Sequence, residues 1–331
     1  MKILILTAKE KDDEDPDLLK YFLEGFEAEI DIIELPSKSI IIRFLLCTIQ
    51  TLRILPRINN YDFILSTSTM NGLTLSLIQK LGNRLIKPEH IMLDIALLRM
   101  ANKSSPFHQR LFRFILSPVK KILCYSNIQK KALMELLGFH GKIEFIPFGI
   151  EPSKYTFNDK NNGNYVLCVG RAGRDYETLF KAINNMKINV IIVTGKDPIS
   201  TNEKIQKVYD NVEVLNEISH EEYKKLVANS QFVILPLEDT LYPTGQTVLL
   251  EGMATGKAVI ATKTAGTIDY IENGKTGYFV EPYNADDLRE KISYLLENPL
   301  EAKRVGENSR KAVEDNFTMD DTIVAIMNVL D

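Results

Sequence analysis

The sequence predicts an α/β chain folded as two αβα domains, and three observations lead there. Short runs of aliphatic and β-branched residues alternate with amphipathic segments along nearly the whole chain. That alternation packs helices on both faces of a mostly parallel sheet. It is interrupted once, at Phe148-Gly149-Ile150-Glu151-Pro152 and the Asn-rich stretch from Tyr155 to Gly163, which reads as a linker. The 331 residues, 45% hydrophobic and 25% charged, are enough for two domains of ordinary size. The expected division is 1–155 for a first domain and 156–315 for a second, with 316–331 as a C-terminal helix packing back on the first. A cleft between the domains is the expected place for a ligand.

Taken in order, Lys2 to Leu6 reads as a buried strand. The charged loop that follows, Lys9 to Asp15, lacks the glycines of a dinucleotide fingerprint, so no such cofactor is expected there. Asp13-Glu14-Asp15 has the spacing of an acidic metal triplet. Its place just ahead of Pro16, at a helix start, reads instead as a capping cluster. Strand and helix signals then alternate: Ile30–Glu34, Ile40–Leu55, Phe63–Leu65, Leu73–Leu81, His90–Ile95, Phe107–Leu116, Lys121–Tyr125, Gln129–Leu137 and Ile143–Ile146. In such sheets ligands bind beyond the carboxyl ends of the strands. That rule selects the loop Ser66-Thr67-Ser68-Thr69 and Asp94. An acid in an apolar strand is costly unless it is paired or functional, and both readings of Asp94 stay open.

Two helices of this first half are basic. The one near Ile41–Ile58 carries Arg43, Arg53 and Arg57, and the one from His108 to Lys121 carries Arg110, Arg113, Lys120 and Lys121 beside Phe107, Leu111, Phe112 and Phe114. Helices of this kind lie on anionic lipid, or else face a core and solvate their basic side.

The second series runs Tyr165–Val169, Asp175–Ile183, Val190–Thr194, Glu203–Val208, Val212–Leu215, Glu221–Asn229 and Phe232–Leu235. At the end of its first strand, Gly170-Arg171-Ala172-Gly173-Arg174 sets two arginines three residues apart, a spacing suited to clamping a diphosphate. Pro243 to Thr262 then gives a small polar turn, a helix and a strand. The turn Thr244-Gly245-Gln246-Thr247 opens the helix, whose start offers N–H groups and a positive dipole end to an anion. Val248, Leu249 and Met253 are apolar at helical spacing, with Glu251 the single charge among them. Gly256-Lys257 stops the helix, and Ala258 to Ala261 reads as a buried strand. Glu251 is either a solvated helix residue or a ligand-binding carboxylate. Helices over Ala285–Leu295, Leu300–Asn316 and Asp320–Leu330 close the chain.

Composition narrows the function classes. The apolar run after Met1 is too short for a signal peptide, and no run of eighteen apolar residues occurs. Cys47, Cys124 and Cys168 lie far apart, as in a reducing compartment, and suggest neither a disulfide framework nor a metal cluster. The net charge of −4 conceals an asymmetry: residues 35–155 hold 17 Lys+Arg against 6 Asp+Glu, and both flanking segments are acidic. A basic segment in an acidic chain suggests an anionic partner, a phosphate-bearing acceptor or a membrane surface. A nucleic-acid role is not expected, because the basic segment has no strand of stacking aromatics. The expected location is cytoplasmic, with a peripheral contact at the inner membrane face through the basic part.

Gly170-Arg171 after the first strand of the second series, together with Leu250-Glu251-Gly-Met-Ala-Thr-Gly-Lys-Ala-Val-Ile-Ala-Thr262, resembles the family 4 retaining glycosyltransferases of GT-B fold. Ile143 to Glu151 is similar to that family's interdomain crossing, and Lys275 to Val280 to a later strand. The resemblance covers nearly the whole second domain and is mainly architectural over the first. It implies two Rossmann-like αβα domains facing a cleft and transfer of a sugar from a nucleotide-diphosphate donor, of UDP or GDP type. The acceptor would be a glycan, a lipid-linked acceptor or another molecule. Retention of anomeric configuration is implied, with no metal and no cofactor. Arg171 matches the diphosphate arginine, and Arg174 stands where a lysine usually follows. Glu251 matches the ribose-binding glutamate, and Gly245, Gln246, Thr247 and Val248 form the helix start at the diphosphate. Thr194, Gly195, Glu217 and Ile218 fall where the nucleotide pocket is lined, and Asp94 falls where many members place a catalytic-side histidine. The chain departs from the pattern at Pro243, where the family has a second glutamate that contacts the sugar ring; Glu238 or Asp239 is the candidate substitute. Two other readings remain: a non-catalytic nucleotide-sugar-binding subunit, and a nucleotide-sugar epimerase of the same fold.

Overall fold

The computed structural model describes residues 1–10, 27–35, 39–82, 85–94, 96–102, 104–157, 163–170, 173–195 and 211–330. The acidic triplet at 13–15, Arg171 and the helix expected at 203–208 lie outside them. The chain divides into two units, residues 1–146 with 322–331, and residues 147–321.

The first unit is a parallel sheet of β1 (Lys2–Glu10), β2 (Glu27–Leu35), β3 (Phe63–Ser66), β4 (Glu89–Leu93), β5 (Lys121–Cys124) and β6 (Ile143–Phe145). The strand order is β2-β1-β3-β4-β5-β6. The inner strands β3 and β5 are largely apolar because both sheet faces are covered there, whereas the edge strand β2 carries Glu27, Glu29, Asp31 and Glu34. The helices are α1 (Ile40–Ile54), α2 (Thr69–Leu81), α3 (Leu97–Asn102), α4 (Pro106–Ile115) and α5 (Asn127–Leu137). Leu4, Leu6 and Ile64 of the sheet pack with Ile54 and Leu75 of α1 and α2.

Helix α1 faces the core with only part of its apolar surface. Its buried side carries Cys47, Gln50, Thr51 and Ile54, while Ile41, Leu45, Ile49 and Leu52 are 77%, 57%, 50% and 51% exposed. The cause is Asp31, a buried carboxylate within β2. Gln50 donates Nε2 to Asp31 Oδ1 at 2.9 Å, Arg53 pairs with Asp31 at 2.7 Å, and Arg57 pairs with Glu29 at 2.6 Å. A buried charge needs partners. Supplying them turns the polar side of α1 inward and its aliphatic row outward.

The second unit is a parallel sheet of β7 (Val166–Val169), β8 (Val190–Thr194), β9 (Val212–Asn216), β10 (Val233–Leu235), β11 (Val259–Thr262) and β12 (Tyr278–Val280), ordered β12-β11-β10-β7-β8-β9. Its helices are α6 (Tyr176–Ile183), α7 (His220–Asn229), α8 (Gln246–Ala254), α9 (Ala285–Glu297) and α10 (Pro299–Asn316), and a last helix, α11 (Met319–Leu330), follows. Successive residues of β7 enter opposite cores. Val166 and Cys168 join the layer of α6 and α9, and Leu167 and Val169 join the layer of α8. That is the two-residue period of a sheet buried on both sides. Arg310 of α10 donates to the carbonyls of Pro152 and Tyr155, at 3.0 Å each, which ties the segment after residue 150 to this unit.

Candidate active site

The strand order of the second sheet reverses between β7 and β10. From β7 the chain winds outward through β8 and β9, and it then returns to β10 on the other side of β7. Such a switch point leaves a crevice at the carboxyl ends of the strands. A pocket of about 390 Å³ lies there. Val169 and Gly170 at the end of β7, Val193 and Thr194 at the end of β8, and Glu217 and Ile218 after β9 form one wall. Thr247, Val248 and Glu251 of α8 form the other, with Arg174, His220 and Tyr223 completing it.

Helix α8 begins on Gly245, which sits at φ 84° and provides no side-chain cap; no acidic residue occupies the first turn. The helix therefore presents its positive end with no carboxylate in its own first turn to neutralise it. A side chain at Gly245 would be strained at that φ and would also press on Leu237. The Gln246 side chain donates to the Tyr270 hydroxyl at 2.7 Å. One turn into the helix, Glu251 is 5% exposed. Tyr155 donates its hydroxyl to Oε1 at 2.8 Å, and Tyr223 donates to Oε2 at 2.6 Å. Burial raises the Glu251 carboxyl above its ordinary value; the two tyrosine hydroxyls, His220 and Lys224 oppose that rise. The solvated-helix reading of Glu251 is thereby corrected: the charge faces inward and is held by two donors.

Arg174 lies against Gly170. Its Nε donates to Val169 O at 2.8 Å, and burial lowers its pKa, although a guanidinium stays charged in proteins. Gly170 has φ 152°, and a Cβ there would fall 1.9 Å from Arg174 Nε, so only glycine admits the guanidinium at this place. Glu217 holds a positive φ of 51°, with its N–H donating to Thr194 O at 3.2 Å. Left-handed backbone at a non-glycine residue is a strain that clusters at ligand sites.

Of the residues singled out in the sequence, Gly170, Arg174, Thr194, Glu217, Ile218, Thr247, Val248 and Glu251 line one pocket. Gly195 follows β8 but is not among the lining residues, and Gly245 and Gln246 support the α8 start from behind. Arg171 lies outside the described residues. Asp94 belongs to the first unit. Strand β4 ends at Leu93, so Asp94 stands outside the strand as a cap. Its fully buried carboxylate accepts from Leu97 N at 2.6 Å, Gln129 Nε2 at 2.9 Å and Thr69 Oγ1 at 3.4 Å. Burial pushes its pKa up to about 6. Asp94 thus takes the buried, hydrogen-bonded position that the sequence left open beside a functional one, and it starts a helix. His220 and Tyr223 were not singled out for the pocket. The available signal was Ser219, which accepts from Glu222 N and starts α7 at the pocket rim.

Residues 151–312 match the family described as glycosyl transferases group 1. This part of the chain is a glycosyl transferases group 1 domain. The chain is 27% identical to the capsular polysaccharide biosynthesis glycosyltransferase CapM of Staphylococcus aureus over 220 residues, 60% of this chain. The matched region spans 56% of CapM, little more than half of that relative's length. Among solved structures, Anabaena HepE in complex with UDP and glucose superposes with a TM-score of 0.72 at 15% identity, covering 99% of each chain. Sucrose-phosphate synthase from Thermosynechococcus elongatus superposes with a TM-score of 0.80 at 15% identity, covering 100% of this chain and 98% of that one. At these identities the structural matches speak for the fold, two parallel α/β units of GT-B type.

Proposed function

We propose that the group 1 domain binds a nucleotide-diphosphate sugar in the pocket between β7 and α8. The chain then transfers the sugar to a glycan, lipid-linked or other acceptor, with retained configuration and without a metal ion. The observation that carries this reading is the convergence on one pocket of a buried carboxylate, an uncapped helix start and a guanidinium. Glu251 accepts hydrogen bonds from the ribose hydroxyls, and the N–H groups at the start of α8 take the diphosphate. Arg174, joined by Arg171 as the resemblance implies, meets the negative charge that grows on the leaving diphosphate as the anomeric bond breaks. Preorganised donors at a developing anion are worth about 100-fold in rate each. Both carboxylates of the pocket, Glu217 and Glu251, serve the nucleotide here. Front-face attack by the acceptor hydroxyl then gives retention with no protein nucleophile. The acceptor's proton leaves with the diphosphate oxygen.

Pro243, in place of a sugar-contacting glutamate, and Asp94, turned into a helix cap, favour a second reading in which the chain binds the donor as a non-catalytic subunit. Calorimetric titration with UDP, GDP and their sugars tests the first step, and donor consumption separates the two readings. Glu251→Gln keeps the side-chain shape and is expected to weaken binding of the preferred nucleotide ~10-fold or more, the worth of a hydrogen bond to a charged group. Unchanged binding in that variant would falsify the assignment of the pocket.

A further inference from the structure

The first unit carries an apolar surface that its own fold leaves open. On α1 the aliphatic row Ile41, Leu45, Ile49 and Leu52 points outward, with Phe44 at 41% exposure beside it. Helix α4 has no buried residue, and Phe107 and Phe114 are 71% and 50% exposed. The two helices flank α2. Thr51 of α1 meets Thr74 of α2, and Ser76 of α2 donates to Ile115 O at the end of α4. The apolar rows therefore belong to neighbouring helices of one layer. Cations accompany them: Lys80 of α2 stands 4.9 Å from the ring centre of Phe114, and Arg110 and Arg113 share α4.

We infer that this layer lies on an anionic lipid bilayer, with the aliphatic row of α1 and the phenylalanines of α4 entering the headgroup boundary. The inward turn of Gln50 and Thr51 shows that the outer row of α1 is not a mispacked core face. The polar side is satisfied within the fold, so the apolar side is left for an outside medium. Charge selects that medium. Residues 40–115, which include α1, α2 and α4, hold 10 Lys+Arg against 3 Asp+Glu, which attracts acidic headgroups and opposes burial against the same basic segment of a second copy. Exposed aromatics on a helix that also carries cations, with Lys80 over the Phe114 ring, suit an amphipathic surface in the interface plane. No described helix is long and apolar enough to cross a membrane, so the contact is peripheral. The inference is independent of the donor pocket, which lies in the other unit.

The test is co-sedimentation of the whole chain with vesicles of phosphatidylcholine alone or mixed equally with phosphatidylglycerol. Partitioning onto the mixed vesicles should be ~10-fold or more stronger than onto the neutral ones, and should weaken as salt shortens the range of the charges. The combined variant Ile41→Ser, Leu45→Ser and Ile49→Ser should lose ~10-fold in partitioning. Its nucleotide affinity and melting temperature should stay unchanged, because these side chains are already exposed. Wild-type protein left in the supernatant with both vesicle types overturns the inference. So does a dimer in solution that the same triple variant dissociates, which would give the surface to a second copy.

Discussion

Tyr223 and Tyr155 decide what Glu251 is able to do. A carboxylate in a pocket wall is costly, and burial alone would favour its neutral form. Each tyrosine hydroxyl engages one carboxylate oxygen and leaves further lone pairs for a ligand. Because the Glu251 pKa is raised, its ionised fraction falls as pH drops through that raised value. Nucleotide affinity should therefore weaken as pH falls, at a higher pH than for an exposed carboxylate. Tyr223→Phe removes the 2.6 Å bond and should shift that loss to higher pH, as well as costing about 1–3 kcal/mol of stability through the unsatisfied oxygen. Titration of affinity against pH in the two proteins checks this; superimposable profiles would contradict it. Glu251 was legible in the sequence as a lone charge among apolar helix positions. Its tyrosines were not, because they lie 96 and 28 residues away in the chain.

At the scale of elements, helix and strand extents were largely readable, and the facing of some elements was not. The 3.6-residue period placed α1 over its observed length, yet the buried side follows Asp31, and a cross-strand charge leaves no periodic mark in the helix that answers it. Helix α3, six residues long, is too short to show a period, and its start is set by Asp94, which the sequence read as the end of a strand. That carboxyl is predicted to govern part of the pH dependence of stability. Burial raises its pKa from the ordinary 3.8 to about 6. The native state thus holds the proton more tightly than the unfolded chain. The associated stability is fully present below about pH 4 and is lost as pH rises through 6. Denaturant melts of wild type and Asp94→Asn should diverge across that window by ~3 kcal/mol in favour of the variant at neutral pH. Parallel stability curves would mean that the hydrogen bonds from Leu97, Gln129 and Thr69 hold the charged form without cost.

Among the described residues the molecule holds two parallel sheets, each six strands wide. The alternating pattern of the sequence predicted this plan, since sheets covered on both faces write continuous apolar strands. The second unit was the more readable because its site is local: α8 brings the anion-suited turn and the carboxylate within one helix, and the switch beside β7 follows from strand order. The first unit reads as a basic surface with apolar helices on its outside, and its acceptor chemistry is not written in any compact motif. The most direct test of the account is the structure of the chain with UDP or GDP bound. The ribose hydroxyls should lie within hydrogen-bonding distance of Glu251, with the diphosphate between Arg174 and the N–H groups at the start of α8. A nucleotide seated elsewhere, with that pocket left empty, would contradict it.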